Sequence, residues 1–189
     1  MRYAILVVTA LCGSIAFTGA ARAAVWNEAT QGDISGNRQS PSLLALTPGT
    51  NSINATTSGG DQEYLRLAVP AGGRIESLIL RSYASPDGVA FIAIQQGTAF
   101  TEDPSSPNPA NLLGYSHFGT GAGNVGANLL TAMGTPALTA PNYTLWIQQL
   151  GAATTYQLDV VATPEPAGAV ALALAAGFAW LRRPTTGRA

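Results

Sequence analysis

"GGDQEYLRLAVPAGGRIESLILRSY", residues 59–83, is the stretch whose reading decides the fold. In its first half Leu65, Leu67 and Val69 fall on one face of an extended chain, with Tyr64, Arg66 and Ala68 on the other. That alternation marks a half-buried β-strand, because side chains of an extended backbone point to opposite faces in turn. "PAGG" then breaks the chain, and "ESLILRSY" resumes as a more continuously apolar run, as a strand covered on both faces would read.

Working outward, the same period of two recurs. In "YTLWIQQL" (143–150) Tyr143, Leu145 and Ile147 oppose Thr144, Trp146 and Gln148. In "YQLDVVA" (156–162) Tyr156, Leu158 and Val160 oppose Gln157, Asp159 and Val161. Between the apolar runs stand dense turn signals: "TPGTN", "TSGGDQ", "ASPDG", "EDPSSPNP", "GTGAGNVG" and "TAPN". Eight or nine short strands at this spacing predict an all-β antiparallel sandwich over residues 24–162, with long surface loops at 102–111 and 119–126.

Charge narrows the function. Only 10% of the 189 residues are charged, against roughly 25% in an ordinary soluble domain. Lysine is absent, and four arginines against nine carboxylates leave residues 24–162 at −5. Such a surface has few cations with which to displace the counterions of a phosphate backbone, which excludes nucleic acid as a partner.

The two ends read differently from the middle. Residues 1–23 have an export signal's parts: Arg2, a 14-residue apolar stretch over 4–17, and the small-residue pattern Ala21-Arg22-Ala23. Signal peptidase is expected to cut between Ala23 and Ala24. Cys12, the sole cysteine, leaves with the signal, so the mature protein has no disulfide and no thiolate. At the other end, residues 167–181 are 15 uncharged residues, about 22 Å as a helix against a hydrocarbon core of roughly 30 Å. Arg182 and Arg183 follow, which puts the tail in the cytoplasm and residues 24–162 outside. The segment is either an anchor that is kept or an address that is read and removed.

Pro164-Glu165-Pro166, the short apolar helix and the Arg182-Arg183 pair resemble the PEP-CTERM sorting signal of Gram-negative bacteria, here residues 163–189. The resemblance implies recognition by an exosortase after transient membrane insertion. It also implies delivery to the envelope, outer surface or extracellular (biofilm) matrix of a cell that makes exopolysaccharide. The tail "PTTGRA" is longer and less basic than many such ends.

The middle is similar to a bacterial pre-peptidase C-terminal domain. The shared order is "NEATQGDISGN", "LTPGTNSINATT", "GGDQEYLRLAVPAGGRIESLIL", "NYTLWIQQL" and "YQLDV", with Glu63 where that family has a second aspartate. The resemblance implies a non-catalytic jelly-roll sandwich, a fold some of whose members bind calcium or polymers.

Catalytic constellations are not built by these residues. Ser116 and His117 adjoin in "GYSHFG", the elbow's second glycine is Phe118, and no other histidine exists to serve as base. One histidine and no mature cysteine cannot hold zinc. Glu102 and Asp103 lie together on a proline-rich loop with no partner across a cleft. Calcium alone has candidate oxygen ligands, in Asp33, Asp61 and Glu63. The expected function is therefore a structural or adhesive surface protein and not an enzyme. The alternative is a carbohydrate- or polymer-binding module, with Trp146 as a ring platform if its side of the strand faces outward.

Overall fold

The computed structural model describes residues 22–139 and 141–164. Nine strands form two sheets: β1 (Val25–Asn27), β2 (Ser42–Ala45), β3 (Gly49–Thr57), β4 (Gln62–Ala68), β5 (Gly73–Ala84), β6 (Ala90–Gln96), β7 (Gly114–Phe118), β8 (Asn142–Gln148) and β9 (Thr154–Pro164). Two single-turn helices, α1 (Glu28–Gln31) and α2 (Leu129–Ala132), complete it. The first sheet runs β1-β3-β9-β5 and the second β2-β4-β8-β6-β7. The expected all-β sandwich is present, with the alternation falling as read. Leu65, Leu67, Tyr143, Leu145, Ile147, Leu158 and Val160 all lie in the core between the sheets.

Two pairings escape an antiparallel reading. β1 runs parallel to β3, and β2 parallel to β4, because each precedes its neighbour by a connection that crosses to the other sheet. All the other ladders are antiparallel. β5 is long enough to need two register shifts against β9, between Ile75 and Ser77 and between Leu80 and Ser82. Each bulge bends the strand around the core.

The registers give the sandwich two distinct poles. Gly49 pairs with Ala162 and Gly73 with Pro164, so the starts of β3 and β5 and the end of β9 share one pole. Ala24 lies there too, its carbonyl accepting from the Ser52 amide at 3.0 Å. Both ends of the sandwich therefore leave it from the same side. Thr57–Thr154, Ala84–Thr155 and Gln62–Gln148 mark the opposite pole, with the loops 58–61, 85–89 and 149–153.

Asn51 fixes the first pole. It is fully buried, and its Oδ1 accepts from the Ala24 amide (3.2 Å), the Thr47 amide (2.9 Å) and the Thr47 hydroxyl (3.2 Å). Its Nδ2 donates to the carbonyls of Thr47, Gly49 and Val160. An amide so completely satisfied costs nothing for its burial and ties the chain's start to β9.

At the opposite pole Gly119 adopts φ 134°, and the Gly88 carbonyl occupies the place a Cβ would take. Only glycine fits that backbone and that contact.

Among the described residues no helix is long and apolar enough to cross a membrane. The apolar segment 167–181 lies outside the described residues.

Candidate metal centre

Period two carries the core face of β4 back from Leu67 and Leu65 to Glu63, a carboxylate at a core position with no exposed surface. Tyr156 occupies the matching place on β9, ahead of Leu158 and Val160, and is 1% exposed. The two meet across the sandwich: the Tyr156 hydroxyl donates a short hydrogen bond to Glu63 Oε2. Glu63 Oε1 is buried with no hydrogen-bond partner. A buried carboxylate oxygen left without a donor costs free energy unless a proton or a cation supplies the missing charge.

Other acids converge on it. Asn27 caps α1 by accepting from the Ala29 amide at 3.0 Å, which turns Glu28 toward β3 and the loop after the helix. Glu28 then accepts from the Thr56 amide through Oε2 (2.6 Å) and from the Ile34 amide through Oε1 (3.2 Å). Glu28, Asp33 and Glu63 bring carboxylate oxygens within 4.8 Å of one another. Asp61, two residues before Glu63 at the end of the β3–β4 turn, adds its field.

Electrostatics follow from this crowding. Burial first, and then the neighbouring Glu28, Asp61 and Asp33 charges, push the Glu63 carboxyl up to about 8, against the lowering effect of the Tyr156 hydrogen bond. Burial and Asp33 raise Asp61, and burial outweighs two backbone hydrogen bonds to raise Glu28. Burial and then the Glu63 charge hold the Tyr156 hydroxyl well above its usual range, so it stays a donor. Among the described residues no cation is among the charges that act on Glu63.

This donor set suits a hard divalent cation. It is all oxygen, with neither the nitrogen nor the sulfur ligands that zinc prefers, and Glu63 within it keeps one oxygen without a hydrogen-bond donor. Of the three acids expected from the sequence, Asp33 and Glu63 stand in the cluster and Asp61 stands beside it. Glu28 is the candidate ligand that sequence reasoning missed. Extending the alternation of β4 by two residues would have placed Glu63 in the core. Nothing local marks Glu28, whose place depends on the long-range Thr56 contact.

The remaining sequence-derived positions separate. Trp146 does lie on the outer face of the second sheet, but it is only 4% exposed. Phe100 and Phe91 pack against it at ring-centroid distances of 5.5 and 4.7 Å, under the loop that follows β6. It is thus no exposed platform, and this corrects the expectation. Ser116 and His117 form no nucleophile–base pair: the Ser116 hydroxyl donates to the His117 carbonyl at 3.0 Å. Ala23 and Ala24 lie at the start of the described chain, and Pro164 is the exposed last residue of β9. Ala21, Glu165, Pro166, Arg182 and Arg183 lie outside the described residues. No family model matches the chain, and neither a curated protein nor a solved structure matches it.

Proposed function

We propose that this chain is an exported, non-catalytic protein of the envelope or extracellular matrix of a Gram-negative bacterium. Signal peptidase cuts it after Ala23, and an exosortase reads it at Pro164-Glu165-Pro166. Its mature part is a jelly-roll-like sandwich of the pre-peptidase C-terminal kind, with a structural or adhesive role and a divalent cation at the Glu28, Asp33 and Glu63 cluster.

One observation carries this reading. Both ends of the sandwich leave at one pole, flush with the two terminal signals, and the acidic cluster lies at the other. Ala24 supports the first cut, because its amide already hydrogen-bonds to buried Asn51 and would do so as the new terminus. Thr47 loses a contact to the Arg22 carbonyl in the cut but keeps Asn51. The jelly-roll assignment is supported by the early chain, in which β1 to β6 alternate between the sheets. With both ends on one side, a membrane-held chain would present its cation site outward.

Mass spectrometry of the protein recovered from cells and from medium tests the reading. The expected termini are Ala24 and a residue near Pro164 to Pro166. An intact "RRPTTGRA" in the membrane fraction would replace sorting with a retained anchor, and an uncut N-terminus would overturn export.

A further inference from the structure

The outer face of the second sheet carries a cluster of aromatic side chains separate from the acidic cluster. The registers set Phe91 of β6 between Gln148 of β8 and His117 of β7, and set Tyr115 beside Ala93 one step along. Phe91 is the hub of the rings on this face: Trp146 at 4.7 Å, His117 at 6.2 Å and Tyr115 at 6.3 Å. Trp146 is buried beneath the loop, whereas Tyr115 is 51% exposed and Leu150 79% exposed.

Two hollows open onto Phe91 and His117, and Tyr115 stands beside Phe91 outside their lining. One, of about 380 Å³, lies between Phe91, Trp146 and the loop prolines Pro104 and Pro107. The other, of about 530 Å³, continues toward Asp87 and Gly151 at the pole opposite Ala24 and Pro164. They share Phe91, His117, Gln148 and Leu150, so they form one groove. Each is within the size range of small-ligand sites.

The groove's chemistry selects its occupant. Among the described residues the Tyr115 hydroxyl, the His117 ring and the Gln148 amide make no hydrogen bond to the protein. Asp87 uses only Oδ2, toward the Ala152 amide. Ring faces offer negative charge to polarised C–H groups, and the unengaged polar heads beside them offer partners to hydroxyls. No arginine lines the groove, and the sandwich is acidic, so a polyanion would meet repulsion and no counter-charge. A sugar ring combines an apolar C–H face with a hydroxylated edge and no charge.

We propose that this groove binds a neutral polysaccharide chain, with Phe91 and His117 in the groove and exposed Tyr115 at its flank as the ring platform, and Gln148 and Asp87 as hydroxyl partners. The proposal does not rest on the sorting signals or on the cation site.

Affinity electrophoresis of the exported protein through gels containing dextran, hydroxyethyl cellulose or galactomannan tests it, with alginate as polyanion and an oligoproline peptide as competitor. At least one neutral polymer should retard the protein. Tyr115→Ala and His117→Ala, both at exposed positions, should each weaken retardation about tenfold with an unchanged melting temperature, the scale of one lost ring contact. Arg81→Ala, on the opposite sheet, should leave retardation unchanged. Retardation by no neutral polymer, or by alginate alone, overturns the proposal. So does oligoproline binding without sugar binding, or neutral-polymer retardation that both variants retain in full.

Discussion

Calcium should stabilise this protein through Glu63, and the substitution Glu63→Gln should abolish the effect. At an effective dielectric constant of about 20, two unit charges 4.8 Å apart repel by about 3.5 kcal/mol. Glu28, Asp33 and Glu63 make three such pairs, so the metal-free fold keeps Glu63 protonated below about pH 8. A divalent ion replaces that proton and reverses the repulsion. Free calcium at a hundredfold excess over its Kd adds about 2.7 kcal/mol, which for a domain of this size raises the melting temperature by roughly 8–11 °C. Glu63→Gln keeps the shape and an acceptor for Tyr156 but removes the buried charge. The chelated variant should melt above the chelated parent at pH 8, and calcium should move it by less than about a fifth of the parent's shift. Scanning calorimetry in chelator and in graded calcium measures both. A full calcium shift in Glu63→Gln would place the ligands elsewhere, and no shift in the parent would refute the cation reading altogether.

Four further outcomes follow from the same structure. In chelator, stability should fall as pH rises from about 5 to 8. The folded carboxyl, at about 8, holds a proton that the unfolded one, at 4.5, has released, so the slope is near 1.4 kcal/mol per pH unit and is read from melting curves. The calcium increment should grow over the same range, because the ion competes with that proton. Asn51→Ala should cost about 2–4 kcal/mol in urea unfolding, because it empties a fully buried position and removes the side-chain partner of backbone groups of Ala24, Thr47, Gly49 and Val160. Trp146→Ala should cost about 3–5 kcal/mol in the same assay, the signature of a packed residue.

How far these features could be read from sequence depends on how local their causes are. The core faces of β4, β8 and β9 follow from alternation alone, since a one-residue slip would expose every leucine. Parallel pairing of β1 and β2 was not legible, because each strand is short and its neighbour is chosen by a crossing connection. Alternation puts Trp146 on the side opposite Tyr143, Leu145 and Ile147 but leaves open whether that side is covered, and its burial is decided by Phe100 on a loop, which periodicity does not register. Asp33 and Glu63 were legible as oxygen ligands by residue type. Glu28 was not, because a four-residue helix and the Thr56 amide aim it.

Among the described residues β9 is the last strand in the chain and an inner strand of its four-stranded sheet, paired on one side with β3 and on the other with β5. A chain emerging N-terminus first therefore holds that sheet as two separate pieces until residues 154–164 arrive. Closure is a late, all-at-once event, and it falls next to the Pro-Glu-Pro segment in time as well as in space. Any factor that acts on the C-terminal segment meets a sandwich that has only just become whole, and a chain stopped short of Thr154 cannot join its β1–β3 pair to β5 in this sheet.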